Sequence, residues 1–258
     1  KELRSIRVSL DTSQVFFFIV TVLDSTGVDP SPVCCAHYTS TMVAYLLIID
    51  HSAYTHSNGL CTTDYDGAVS YVYYIGKRLA IMLAELSNST MISPKNIHCM
   101  GHSLGGQMLG YVGEIFFDLT GERIARITAL DPASPCFKKY PKTLQVRSGV
   151  ADYVEVYHCN NYVLGSSNTI ADVDFFVNDG KCQHGCSCFI KPECSHGRCV
   201  SVWAQSVVKR NLFLAFQCNN YEMFKAGKCS NNNYTIAGFG NPGYAKGIHY
   251  FSTKHVMF

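Results

Sequence analysis

The stretch Asn96-Ile97-His98-Cys99-Met100-Gly101-His102-Ser103-Leu104-Gly105-Gly106-Gln107 decides how the rest of the chain reads. Within it, Gly101-x-Ser103-x-Gly105 has the spacing of a nucleophile elbow, where a serine stands on a sharp strand-to-helix turn. A glycine on each side of that serine is a steric requirement, because the turn brings neighbouring backbone too close for a Cβ. The spacing alone is common; its flanks give it meaning. Upstream, Pro94-Lys95-Asn96 is turn chemistry, and Ile97 to Met100 is a short, mostly apolar run suited to a buried strand. Downstream, Leu104 to Phe117 reads as a helix despite Gly106, Gly110 and Gly113. These three lie on one helical face, and each costs about 1 kcal/mol relative to alanine in a helix interior. Close packing of that face against a sheet is the expected compensation.

Further elements lie on both sides. A near-continuous apolar run from Ser13-Gln14 through Val15-Phe16-Phe17-Phe18-Ile19-Val20 to Leu23 reads as a strand covered on both faces. Leu46 to Asp50 reads as a second buried strand. Ala68, Val69, Val72, Ile75, Leu79, Met82, Leu83 and Leu86 recur with helical period over about residues 67–86. Arg126 to Leu130, ending at Asp131-Pro132, and Tyr153 to His158 are two more strands. Strands alternating with helices predict an α/β fold, a mostly parallel central sheet with helices on both faces. After about residue 180 the composition shifts toward Cys, Gly and Asn, which predicts loops and a small β element.

At 258 residues the chain is sized for a single α/β domain over 1–258. A formal net charge of +2 gives no electrostatic case for nucleic acid or a strongly anionic surface. No apolar run approaches membrane-spanning length. The chain opens without methionine or signal peptide, as a mature or trimmed form would. Thirteen cysteines and the sequons Asn88-Ser89-Thr90 and Asn233-Tyr234-Thr235 favour an oxidising, secreted setting. An odd cysteine count leaves at least one thiol free or paired outside the chain.

A serine at an elbow needs a base within hydrogen-bond reach, and that base needs a carboxylate to hold its tautomer. Asp131 is the best-placed acid, because it directly follows a buried strand and Pro132 ends that strand. Asp118, Asp172 and Asp174 are rivals. In the order Ser, Asp, His the base comes last, which sets aside His37, His51 and His56. His98 and His102 belong to the elbow itself, and His158, His184, His196, His249 and His255 remain. His196 stands after a cysteine-rich loop and before the helix-like Val200 to Val208, a loop position suited to presenting a base. The residues alone leave that choice open.

His98 to Gly106, Ile127 to Pro135 and Cys194-Ser195-His196-Gly197-Arg198 together resemble the three catalytic blocks of the pancreatic-lipase family. Val173 to Gly180, and Cys218 with Cys229, resemble further family blocks. The likeness runs over roughly residues 14 to 253 and is strongest to the insect neutral lipases and venom phospholipases A1. It implies an α/β-hydrolase fold, no following β-sandwich domain, and no cofactor. It implies Ser103 as nucleophile, Asp131 as acid and His196 as base, with an oxyanion hole from the backbone N–H groups of Leu104 and Val22. The implied partner is a lipid, phospholipid or acylglycerol, met at a membrane or lipid-droplet surface. A secreted serine carboxylester hydrolase follows.

Two departures stand out. Val20-Thr21-Val22 replaces the family's His-Gly-aromatic motif, and His51 stands where the family has tryptophan. The first motivates a second reading, a catalytically weak or inactive homologue that binds lipid or serves as a storage protein. The resemblance also implies Cys218–Cys229 and, with the oxidising setting, Cys186–Cys194. The competing reading of Cys182, Cys186, Cys188, Cys194 and Cys199 with His184 and His196 is a metal cluster. Seven residues between Cys186 and Cys194 stand where the family's lid lies, too few to cover a lipid-sized cleft, with Phe189 and Ile190 at its rim.

Overall fold

Strands β1 (Val15–Thr21) and β2 (Ala44–Asp50) run parallel at one edge of the sheet, with Val15 in register with Ala44 and Thr21 with Asp50. The computed structural model describes residues 15–21, 44–50, 63–137, 141–161, 163–187 and 190–256, so the flanks read into the first strand lie outside it. Helix α1 (Thr63–Asn88) carries the expected amphipathic period and exceeds the predicted span at both ends. Then come β3 (Ile97–His102), α2 (Leu104–Thr120), β4 (Arg126–Leu130) and β5 (Tyr153–His158), with β4 and β5 at their predicted bounds. Gly121 closes α2 in the left-handed region (φ 73°), its N–H donating to Phe117 O at 2.8 Å, as a glycine C-cap does.

The last third departs from expectation. β6 (Val173–Val177), α3 (Pro192–Val208), β7 (Phe213–Gln217), the short α4 (Tyr221–Lys225), β8 (Tyr234–Ala237) and β9 (Gly247–Phe251) follow. They are no separate β element. β9 pairs in parallel with β6, and β7 and β8 add antiparallel strands beyond it. Among the described residues the sheet has nine strands in the order β2-β1-β3-β4-β5-β6-β9-β7-β8. It is an α/β-hydrolase sheet, mostly parallel with helices on both faces. Because the chain leaves β2 and returns on the other side of β1 as β3, the winding direction reverses there. The carboxyl ends of strands beside such a reversal are where open α/β sheets bind ligands.

Strand alternation divides the core. Ile97, Cys99, Ile127, Ala129, Val154 and Val156 face α1 and α2, packing on Val72, Leu83, Met108 and Val112. Met100, Leu130 and Tyr157 point to the opposite face, against Trp203 and Val202 of α3. Cys99 is one thiol left out of any disulfide, and burial pushes it up to about 12, which makes it inert. The glycine face of α2 finds a partner beyond the one expected. A Cβ at Gly106 would sit 3.2 Å from Pro132, one at Gly110 2.9 Å from the Gln145 carbonyl carbon, and one at Gly113 2.1 Å from Val150 O. The close neighbour is the 132–150 connection leaving β4, and at Gly106 the sheet as well, through Gly101 O of β3 at 3.3 Å. A backbone crossing over a helix needs that room as much as a strand does.

On the α3 face a fully buried carboxylate, Glu155, accepts five hydrogen bonds from four side chains. Its Oε1 accepts from Arg126 Nε (2.9 Å), Arg126 Nη2 and Thr128 Oγ1 (2.6 Å), and its Oε2 from Tyr157 Oη (3.1 Å) and Asn241 Nδ2 (2.6 Å). Burial alone would lower the Arg126 pKa; the Glu155 charge beside it more than offsets this and holds it raised. Removing one member of a buried pair strands the other without solvent, at about 3–5 kcal/mol. Glu155→Ala is therefore expected to lower the free energy of urea unfolding by about that amount. A loss under 1 kcal/mol would show the network to be dispensable.

Candidate active site

Ser103 occupies the junction of β3 and α2 with φ 55° and ψ −121°, a conformation that costs of order 1–3 kcal/mol for a residue with a Cβ. Three backbone hydrogen bonds hold it there: Ser103 N–H to Leu130 O (3.1 Å), and Gln107 N–H (3.2 Å) and Ala133 N–H (3.0 Å) to Ser103 O. A Cβ on Gly101 would come within 2.4 Å of Gly105 O, so the glycine read from the motif is a steric necessity. The Ser103 side chain makes no capping bond to α2 and is only half-buried. Leu104 begins α2, whose first-turn N–H groups have no partner within the helix and carry its positive dipole end. Val22, expected to supply a second donor, lies outside the described residues.

Asp131 follows β4 with φ 42° and is fully buried. Its own N–H reaches Tyr157 O on β5 (2.7 Å). Oδ1 accepts from Cys159 N–H (2.8 Å) and Asn160 N–H (3.1 Å), just past the end of β5. Oδ2 accepts from Asn160 N–H (3.1 Å) and His196 Nδ1 (2.7 Å). With Nδ1–H donating to the carboxylate, His196 Nε2 is left to accept a proton. A Cβ on Gly165 would fall 2.2 Å from Oδ1, so this glycine, which sequence reasoning passed over, clears the acid's seat. Asn160 places it: the Asn160 Oδ1 accepts from Leu164 N–H (2.9 Å) and its carbonyl from Gly165 N–H (3.0 Å).

The expected loop setting of His196 is corrected. It sits in the first turns of α3, which starts at Pro192, a residue pre-set for a helix start by its fixed φ. Cysteine-rich spacing masked that helix. His102 Nε2 lies 3.2 Å from His196 O and the two rings are 4.4 Å apart, so the residue before Ser103 touches the residue paired to Asp131. The Cys186–Cys194 disulfide closes the short loop ahead of α3, and Cys218–Cys229 is also formed. A third, Cys159–Cys199, was not anticipated. These bonds take Cys186, Cys194 and Cys199, and Asp131 takes His196, so the metal-cluster alternative loses its ligands. Among the described residues no other group could hold a metal.

The rivals lie elsewhere. His158 Nε2 pairs with Asp174 Oδ1 (2.8 Å) and its Nδ1 with Ser166 O (2.8 Å), all buried. Burial opposes its charge, yet the Asp174 contact outweighs that and raises its pKa. Asp172 takes Lys246 Nζ (2.6 Å) and the N–H of Val154 (2.8 Å) at the start of β5. Burial works against the charged Asp172, but those bonds hold its pKa lowered. Asp118, His184 and His255 are exposed, and His249 is buried on β9, which keeps its pKa lowered. His37, His51, His56 and Phe189 lie outside the described residues. Gly165→Ala is expected to push Asp131 out of its seat. The far-downfield His196 Nδ1 proton in a ¹H NMR spectrum should then be lost to exchange; an unchanged resonance would mean the seat tolerates a Cβ.

A family model described as Lipase matches residues 53–248. Pancreatic triacylglycerol lipase of Oryctolagus cuniculus is 33% identical over 189 residues, covering 65% of this chain and 40% of that protein. Pancreatic lipase-related protein 2 of Cavia porcellus is 32% identical over 171 residues, covering 64% and 38% respectively. Pancreatic lipase-related protein 3 of Homo sapiens is 30% identical over 189 residues, covering 64% and 39%. The chain thus spans about 40% of the length of the curated relatives it matches. With that match across most of its length, laid over an α/β-hydrolase sheet whose elbow, acid and histidine blocks occur in order, the chain belongs to the family of the pancreatic lipases.

Proposed function

We propose that the chain is a serine carboxylester hydrolase acting on lipids, with Ser103 as nucleophile, His196 as base and Asp131 as the acid that orients it. The observation that carries this is the 2.7 Å bond from His196 Nδ1 to a carboxylate already held by two backbone N–H groups. That bond fixes the tautomer in which Nε2 takes a proton. Ser103 Oγ attacks the ester carbonyl as its proton passes to Nε2. The oxyanion is received by the N–H of Leu104 at the positive end of α2, with Val22 as second donor. His196 then protonates the departing alcohol, leaving an acyl-enzyme that water hydrolyses by the same relay.

Phospholipid sn-1 esters or neutral glycerides are the proposed substrates. The names of the relatives favour triacylglycerol. The seven residues between Cys186 and Cys194, with Ile190 exposed, favour a cleft open to a lipid surface, as in a phospholipase A1. The disulfides support a secreted setting. A second reading, a catalytically weak lipid-binding homologue, is favoured by Val20-Thr21-Val22 alone. Thr21 pairs with Asp50 as an ordinary strand residue, and loss of one oxyanion donor costs about 3–4 kcal/mol.

Fatty-acid release from phosphatidylcholine vesicles and from a triacylglycerol emulsion, assayed side by side, tests both readings. The parent is expected to hydrolyse at least one, Ser103→Ala to lose all measurable activity, and Asp131→Asn to retain about 10⁻⁴ of kcat. Activity surviving intact in Ser103→Ala would remove the nucleophile assignment. Binding of either lipid without turnover by the parent would favour the second reading.

A further inference from the structure

The Cys159–Cys199 disulfide differs from the other two described in what it joins. Cys159 is the residue whose N–H donates to Asp131 Oδ1 at 2.8 Å. Cys199 is on α3, three residues beyond His196 and so close to one helical turn away on the same side. Their Cα atoms are 5.7 Å apart, at a sequence separation of 40. A closed circuit results: Asp131 Oδ1 to the Cys159 backbone, through the disulfide to Cys199, back along α3 to His196, and from Nδ1 to Asp131 Oδ2. Two of its links are hydrogen bonds, at Asp131 Oδ1 and Oδ2, and the rest are covalent. Both cysteines are fully buried, so no thiol in solution reaches the bond in the folded chain.

Apart from this circuit, the start of α3 is tied to the loop that precedes it. Lys191 at its N-cap makes no side-chain cap bond. The Cys186–Cys194 bond ties the first turn to a short surface loop, and Ser195 Oγ accepts the N–H of Gln183 at 3.0 Å. A helix free to slide by an ångström would carry the imidazole with it, and such a displacement can cost about 10²-fold in rate.

We propose that the Cys159–Cys199 disulfide is a positioning device for the reacting imidazole, a covalent strap that sets α3 at the depth where His196 meets Asp131. This rests on the reading of Ser103, Asp131 and His196 as the hydrolytic site. The strap touches no substrate; it acts through the two residues it spaces. A disulfide with a purely structural role would change stability and leave turnover by the folded chain untouched, and the two roles separate on that difference.

The test uses the whole chain and p-nitrophenyl butyrate, a soluble short ester that avoids lipid-surface effects. Cys159→Ala/Cys199→Ala is compared with Cys218→Ala/Cys229→Ala, which removes the bond beside α4 at the antiparallel end of the sheet. Kinetics are read at a temperature where circular dichroism shows all three proteins folded. The first double variant is expected to lose at least tenfold in kcat with KM within twofold. The second is expected to keep kcat within twofold despite a lower Tm. A kcat within twofold of the parent in the first double variant overturns the proposal, and so does an equal loss in both. Should the first variant fail to fold, Cys159→Val/Cys199→Ala and Cys159→Ala/Cys199→Val, which refill part of the space of the two sulfurs, are read by the same criterion. A tenfold loss of kcat in a folded pair supports the strap, and a kcat within twofold of the parent contradicts it. Ser103→Ala marks the other failure: ester turnover persisting there removes the hydrolytic site from Ser103, and the strap's role with it.

Discussion

A carboxylate sealed from water at the carboxyl edge of the sheet is the constraint on which the rest of this structure depends. Burying such a group unpaired costs several kcal/mol, so every lone-pair direction must find a donor. Asp131 finds them in the consecutive N–H groups of Cys159 and Asn160 and in His196 Nδ1. That arrangement requires β4 and β5 to run parallel with Leu130 beside Tyr157, so that one strand ends where the next one's turn begins. It requires Asn160 to fold the following loop and Gly165 to pass over the carboxylate without a Cβ. The core around it, with Leu130 and Tyr157 against Trp203, seats the body of α3 against the sheet.

The elbow answers the same constraint from the neighbouring strand. Ser103 sits in a strained conformation because the hydrogen bonds to Leu130, Ala133 and Gln107 over-determine it. Two of those partners flank Asp131, so the serine turn and the acid turn brace each other. Gln107 adds to this from inside α2, donating to Ala133 O and accepting from Val146 N–H. The glycine face of α2 exists to let that 132–150 connection lie against the helix. Strain at the serine and close packing along the helix are thus two consequences of one seating.

Much of this was readable in the residues, and the parts that were not have physical reasons. β3, β4 and β5 announced themselves because they are short, mostly apolar runs bounded by turn residues. Asp131 was legible for the same reason, a carboxylate standing at the end of such a run. β6, β7 and β9 are short runs set among Gly, Asn and Cys residues, a composition that reads as loop. The start of α3 was hidden because Cys194, Ser195 and Gly197 have low helix propensity, and Pro192 with tertiary anchorage decides the matter instead. Gly165 and the Cys159–Cys199 bond could not be foreseen, since both depend on approach between segments distant in sequence. The choice of His196 over His158 came from family likeness; the structure pairs His196 Nδ1 with Asp131, whereas His158 has both ring nitrogens taken, by Asp174 and by Ser166 O.

The measurement that bears most directly on the central claim is the reaction of the intact chain with a fluorophosphonate, mapped by peptide mass. A serine activated by a histidine that a buried carboxylate holds in place should form one phosphonyl adduct, on Ser103, and His196→Ala should abolish it. An adduct on another residue, or one on Ser103 that forms as fast in His196→Ala as in the parent, would contradict the account.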